Sequence, residues 1–184
     1  MTLPSSNEPR GFYWAGPKQT IPAWIENETY DDPSFYYWPT GASSPIELAL
    51  PSGNWDPANA QLYYTGAMWY LTGYDMDDDY AWYVYVKPDG GVWRDATSIF
   101  ADANIFDQPD AGCALTDSKI LIICDDVTVW WFNGSTLEQA IDESGTLYNG
   151  RSIITLNDAS FENVSIALCE LLDGSIFCAS MYAG

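Results

Sequence analysis

From about residue 60 onward the chain alternates apolar runs with turn residues, at strand rather than helix spacing. Residues 62–71 read as one strand and residues 80–86 as a stronger one. Lys87-Pro88-Asp89-Gly90-Gly91 follows, a turn with proline preset at its start and glycines free to take positive φ. Val92 and Trp93 then begin the return strand of a hairpin. Residues 120–124 and 127–132 flank Asp125-Asp126 as a second hairpin, closed by Asn133-Gly134. Ser135-Thr136-Leu137-Glu138 has the form of a capping box and predicts a short helix to about residue 141. Residues 152–156 are another strand. Residues 164–172 and 175–181 flank Asp173-Gly174, the strongest hairpin signal in the chain.

This pattern predicts an all-β fold of about eight strands: an antiparallel sandwich or small barrel. Many strands are apolar on both faces, so they need cover on both sides. Propeller-like blades are the minor alternative, because residues 167–178 resemble a propeller-blade hairpin. The first third has a different texture. Nine of the 11 prolines fall within residues 1–57, together with Trp14, Trp24, Phe35, Tyr36, Tyr37, Trp38 and Trp55. Proline is excluded from helix interiors and central strands. The expected organisation is therefore a proline- and aromatic-rich arm or series of loops over 1–57, and a β-rich body over 58–184. The arm's rings must pack on the body or on neighbouring subunits.

Composition narrows the function. The 184 residues include 26 acids against 6 bases, a formal charge of −20, and the bases stand far apart. Nucleic-acid binders neutralise phosphates with clustered Lys and Arg, so no nucleic acid is expected. An anionic membrane surface is disfavoured for the same reason. No stretch is long and apolar enough for a membrane span, and the N-terminus lacks the basic start and apolar run of a signal peptide. Histidine is absent, which removes Ser-His-Asp and Cys-His systems and most catalytic zinc sites. The chain is expected not to be an enzyme. A hydrolase working with carboxylates alone is the remaining catalytic alternative, but among 26 acids some pair always qualifies.

Three constellations are candidate sites. Asp75, Asp77 and Asp79 alternate along one segment, a spacing that converges on Ca²⁺ when the backbone loops. The EF-hand positions for glycine and glutamate hold Tyr80 and Val86, so that motif fails, and a solvated acidic turn explains the same spacing. No other cofactor is expected. The aromatics Trp14, Trp24, Tyr36, Trp38, Trp130 and Trp131 are candidates for an interface or a sugar-stacking platform. Trp130 and Trp131 are adjacent on a strand and point to opposite faces. One of them lies exposed or in an interface unless the strand is covered on both sides. Finally, a two-residue turn at Asp173-Gly174 puts Cys169 opposite Cys178 as a non-hydrogen-bonded pair, with Cα atoms about 4.5 Å apart. That spacing suits a disulfide or two neighbouring thiols.

In outline, an arm like residues 1–57 followed by a β body resembles the small virion accessory proteins of tailed bacteriophages, head decoration or tail-associated. The resemblance is architectural and compositional. It implies a structural role in the virion, with capsid or tail proteins and copies of itself as partners. The alternative is a carbohydrate-binding, lectin-like module, for which the nine tryptophans argue.

Overall fold

In a computed structural model of the chain, residues 9–17, 20–27, 33–56, 59–105, 111–124, 128–139, 153–155 and 164–182 are described. The fold is all-β. Its strands fall into four sheets, taken up one after another along the chain. Sheet I contains β1 (Pro9–Trp14), β2 (Pro22–Asn27), β3 (Pro33–Tyr37) and β4 (Ile46–Leu48). Sheet II contains β5 (Gln61–Tyr64), β6 (Met68–Asp75), β7 (Ala81–Pro88) and β8 (Arg94–Asp95), followed by the one-and-a-half-turn helix α1 (Thr97–Asp102). Sheet III contains β9 (Ala111–Ala114), β10 (Ile120–Cys124), β11 (Thr128–Phe132) and β12 (Leu137–Gln139). Sheet IV contains β13 (Ile153–Thr155), β14 (Val164–Glu170) and β15 (Ile176–Tyr182), in the spatial order β13-β15-β14.

Sheets I to III are up-and-down antiparallel meanders in chain order. Sheet IV breaks the pattern, because β13 pairs parallel to β15. No sheet of described strands closes into a barrel. Packing face to face is that of a sandwich, and the succession of four-stranded meanders is that of propeller-like blades.

Each sheet is covered by the next. Ala23, Phe35 and Leu48 of sheet I pack with Leu62, Trp69 and Leu71 of sheet II around Trp55 and Ala60. The opposite face of sheet II (Tyr63, Tyr70, Trp82, Val84 and Val86) packs on Phe100 of α1 and on Ala114, Ile120, Ile122 and Phe132 of sheet III. The far face of sheet III, with Cys113, Leu121, Ile123, Val129 and Trp131, is buried in turn, and β14 lies against β9. A middle sheet in such a row has no wet face, so its strands are apolar on both sides. Two polar contacts tie the layers further. The Arg94 guanidinium donates to the Gly134 carbonyl. The buried Glu170 carboxylate accepts from Thr116 N at 3.0 Å and Thr116 Oγ1 at 2.8 Å.

Several expectations from the sequence are corrected here. The proline-rich third contains four paired strands rather than an arm. Pro9, Pro22 and Pro33 each stand first in a strand, where a missing N–H costs the ladder little. Prolines there punctuate strands instead of forbidding them. Residues 62–71 are two strands, not one: Gly66 at φ +91° and Thr65 N donating to the Met68 carbonyl turn the chain back. The return strand after Gly91 starts at Arg94, and Val92 is exposed.

The helix expected from Ser135 is the edge strand β12. Asn133 Oδ1 accepts from the backbone N–H groups of Ser135 and Thr136 at 2.9 and 2.8 Å, which makes a turn. Leu137 then pairs with Phe132, and Glu138 with Trp131. Short polar residues serve turns as readily as caps, and the open edge of β11 decides between them.

The cysteine pairing is also corrected. Cys169 lies opposite Phe177, and Cys178 opposite Leu168. The turn is one residue longer than expected. Leu171 N donates to Ser175 O, Gly174 sits at φ +85°, and Asp173 Oδ1 caps Ser175 N. A three-residue loop with glycine in the left-handed position shifts the register by one, so positions 169 and 178 fall on opposite faces of the hairpin.

Burial and acidic neighbours set a pH limit on this fold. Tyr70 is pushed up to about 12 from 10, chiefly by burial and then by Asp117. Tyr64 is pushed up to about 12 by burial and by its hydrogen bond to Asp89. Tyr83 is pushed up to about 12, first by its hydrogen bond to Asp78. A phenol whose folded pKa exceeds its unfolded value contributes stability that is complete below pH 10 and is lost as pH rises through 12. Absorbance titration at the phenolate band should therefore show a class of tyrosines ionising near pH 12, together with a falling melting temperature. Complete ionisation near pH 10 in a still-folded protein would contradict this.

Candidate functional site

Sheet I presents two different faces. Alternation along β2 and β3 sends Ala23, Phe35 and Tyr37 towards sheet II, and Trp24, Tyr36 and Trp38 the other way. Trp24 lies directly across from Tyr36, and Tyr36 directly across from Glu47 on β4. The Trp24 and Tyr36 rings are stacked, with centroids 5.8 Å apart at 19°. Trp38 leans on Trp24 at 6.5 Å and 43°. Its indole N–H donates to the Ala42 carbonyl at 2.9 Å, and its backbone N–H to the Pro22 carbonyl at 2.9 Å. Trp24 is buried beneath this group, Tyr36 and Trp38 are half-buried, and Glu47 is exposed.

Beside this row, Ser34 Oγ donates to Glu47 Oε1 at 3.3 Å. Both residues line an open cavity of about 300 Å³ at the β4 edge of sheet I, bordered by the loop that follows the strand. Trp93 Nε1 donates to the Ala49 carbonyl at 2.7 Å, and Trp55 Nε1 to the Pro51 carbonyl at 3.0 Å. Two indoles thus pin the loop, Trp55 from the core and Trp93 from the surface.

Three of the six aromatic candidates (Trp24, Tyr36 and Trp38) are brought together on this face. The side chain of Trp14 lies outside the described residues; its backbone pairs with Pro22 beside them. Trp130 and Trp131 do not join the face. The structure covers their strand on both sides: Trp131 is buried opposite Leu121, and Trp130 is half-buried against the core between sheets II and III. Among the described residues neither indole N–H finds a hydrogen-bond partner. The side chains of Cys169 and Cys178 lie outside the described residues.

The acidic segment forms the β6–β7 turn. Asp75 Oδ1 accepts from Asn54 N at 2.9 Å and Asp77 N at 3.0 Å, and Asn54 Nδ2 donates to Asp77 Oδ1 at 3.3 Å. Asp78 holds the Tyr83 hydroxyl. Asp79 and Tyr80 take left-handed φ of 50° and 58°, the central positions of a turn closed by Ala81 N donating to the Asp78 carbonyl, inside the loop between Asp75 and Ala81. Among the described residues no group of three or more acidic or sulfur side chains is arranged to hold a metal ion. The Ca²⁺ reading of Asp75, Asp77 and Asp79 therefore rests on their spacing alone.

Pocket chemistry at Ser34, Glu47 and the following loop was not legible in the sequence. Neither Ser34 nor Glu47 belongs to a motif, and the cavity exists only because β3 and β4 pair. Compared with protein families, curated proteins and solved structures, the chain finds no match.

Proposed function

We propose that this chain is a non-catalytic interaction protein of a larger assembly, of the virion accessory kind, and that it engages neighbouring subunits through the outer face of sheet I. The observation that carries this reading is the row Trp24, Tyr36 and Trp38 on the face of sheet I opposite to the one packed on sheet II. The inner face of sheet I and both faces of sheet II pack against neighbouring layers. Half-buried aromatics such as Tyr36 and Trp38 are typical anchors of protein contacts. The first third packs on its own body through the opposite face, so any contact with neighbours falls to this one.

Copies carrying a charge of −20 repel each other at low salt. Screening at about 10 Å in 0.1 M salt and about 3 Å in 1 M weakens that repulsion. Light scattering after size exclusion should therefore show self-association, or capture by a basic partner subunit, that depends on the aromatic face. Tyr36→Asp with Trp38→Asp should abolish it while leaving the circular dichroism unchanged. Wild-type protein that stays monomeric and partnerless at every ionic strength would defeat the reading.

A second reading, a carbohydrate-binding module, is favoured by a different observation. A carboxylate–hydroxyl pair, Glu47 and Ser34, stands next to the aromatic row at the mouth of a cavity. Stacked rings flanked by such acceptors suit the two-sided chemistry of a sugar.

A further inference from the structure

We propose that the half-open face of β7 in sheet II binds the arginine side chains of an extended basic segment from a different protein. This surface is separate from the sheet I contact, and neither depends on the other.

The face arises where the cover over sheet II runs out. Along β7, buried and half-buried residues alternate. Trp82, Val84 and Val86 are closed off by α1 and sheet III. On the other side, packing with sheet I buries Leu62 of β5 and Leu71 of β6, but Tyr83 and Tyr85 of β7 stay half-buried. Their ring centroids lie 5.9 Å apart at 41°. Both rings stand nearly perpendicular to Trp55, Tyr85 at 5.5 Å and 89° and Tyr83 at 6.3 Å and 80°. Trp55 is itself buried and fixed by its bond to the Pro51 carbonyl. A fixed indole thus holds two phenol rings at the surface, where a cation within about 6 Å of a ring centroid is attracted.

Three carboxylates surround the rings. Asp95 lies directly across from Tyr85. Asp78 accepts from the Tyr83 hydroxyl. Asp75 shares the face of Gly73, the residue across from Tyr83. The donors that reach these carboxylates are all neutral: the backbone N–H groups of Asn54, Asp77 and Thr97, and the Tyr83 phenol. Their charge is felt at the rings. Tyr83 is pushed up to about 12, first by its bond to Asp78, and Tyr85 is raised by burial and then by Asp95 and Asp75. Lys87 shares this face but stands at the end away from Asp75 and Asp78.

Aromatic faces beside uncompensated carboxylates select a cation. Guanidinium fits both parts, because it stacks on rings and meets a carboxylate with two parallel hydrogen bonds, whereas an ammonium acts as a point charge. Alternate side chains of an extended strand are about 6.6 Å apart, close to the spacing of the two rings. A copy of this chain does not supply such a segment: its six bases stand far apart among 26 acids. The occupant is therefore another, basic protein.

The test is fluorescence anisotropy at about 0.15 M salt, where screening acts beyond about 8 Å. The probes are a dye-labelled peptide of alternating arginine and serine, and its lysine counterpart. The arginine peptide should bind saturably and the lysine peptide several-fold more weakly. Tyr83→Leu with Tyr85→Leu keeps every charge and should weaken binding about tenfold, the loss of two cation–π contacts. Asp78→Asn with Asp95→Asn keeps the hydrogen-bond acceptors at two exposed positions, so the melting temperature should stay at the wild-type value while binding falls at least as far. Asp117→Asn with Glu138→Gln removes two exposed charges on sheet III and its turn, and should leave binding within twofold. Unchanged binding by the leucine variant, or an equal loss in the sheet III control, would overturn the proposal, because general acidity then explains the capture. Failure of the arginine peptide to bind would do the same. Self-association that the leucine variant abolishes would also overturn it, by making the occupant a second copy.

Discussion

Replacing Phe132 with alanine is expected to lower the unfolding free energy by about 3–5 kcal/mol, the range for a buried aromatic removed from a core. Phe132 is fully buried and sits where three elements meet. Its ring lies 4.9 Å from Phe100 of α1 at 72° and 5.6 Å from Tyr70 of sheet II at 67°. Both are edge-to-face arrangements, each worth about 0.5–1.5 kcal/mol beyond the area buried. Phe100 in turn meets Trp82 at 5.5 Å. Removing the central ring takes two of these three contacts at once and leaves a void between two sheets. Urea unfolding checks it: the midpoint should fall while the slope keeps its wild-type value. Phe132→Leu, which retains most of the volume, should cost clearly less. A loss below about 1 kcal/mol for the alanine variant would mean that the neighbouring sheets close the gap on their own.

The second large effect is expected at Glu170. This carboxylate is 2% exposed, at the end of β14, and it holds the backbone N–H and the hydroxyl of Thr116, 54 residues away. Glu170→Ala removes the acceptor of two hydrogen bonds and should cost about 3 kcal/mol, the upper end for bonds to a charged group. Glu170→Gln keeps one acceptor oxygen and should cost about half of that. Thr116→Val removes the hydroxyl but keeps the N–H, so the Glu170→Ala and Thr116→Val double-mutant cycle should show a coupling of about 1 kcal/mol. Additive losses would mean that the pair does not join sheets III and IV energetically. Both variants are read by the same urea titration.

Strand-forming segments were readable from residue 60 on because alternation and turn chemistry are local. The hairpins at Gly90, at residues 120–132 and at Asp173-Gly174 all appear. Fifteen strands are described against the expected eight or so: four lie in the first third behind its prolines, and β9, β12 and the division of residues 62–71 into β5 and β6 add the other three. Composition treats proline as a breaker wherever it stands. Position matters instead: at the first residue of a strand no ladder hydrogen bond is lost. Turn length was the other failure. Asp173-Gly174 marked the correct turn, but one added residue moved Cys178 from Cys169 to Leu168. The same dipeptide fits two- and three-residue loops, and only strand pairing distinguishes them.

The candidate site was half legible. Trp24, Tyr36 and Trp38 stood out as rings, but the segment that carries them read as an arm without strands, so no face could be assigned. Nothing local told which face would be covered, or that Trp24 would stack on Tyr36 across strands. Trp130 and Trp131 looked as conspicuous, yet sheets on both sides absorb them.

The all-β character, the positions of most turns and the lack of histidine chemistry follow from residue types and their spacing alone, because backbone preference and side-chain chemistry act over a few residues. Layer order, the depth at which each ring lies, the register of the cysteine hairpin and the cavity beside Glu47 arise from contacts between segments up to 54 residues apart. Burial is a property of what packs on a residue, and that partner is not written in the residue's own neighbourhood. For this reason the row Trp24, Tyr36 and Trp38 becomes a candidate surface while Trp131 becomes core.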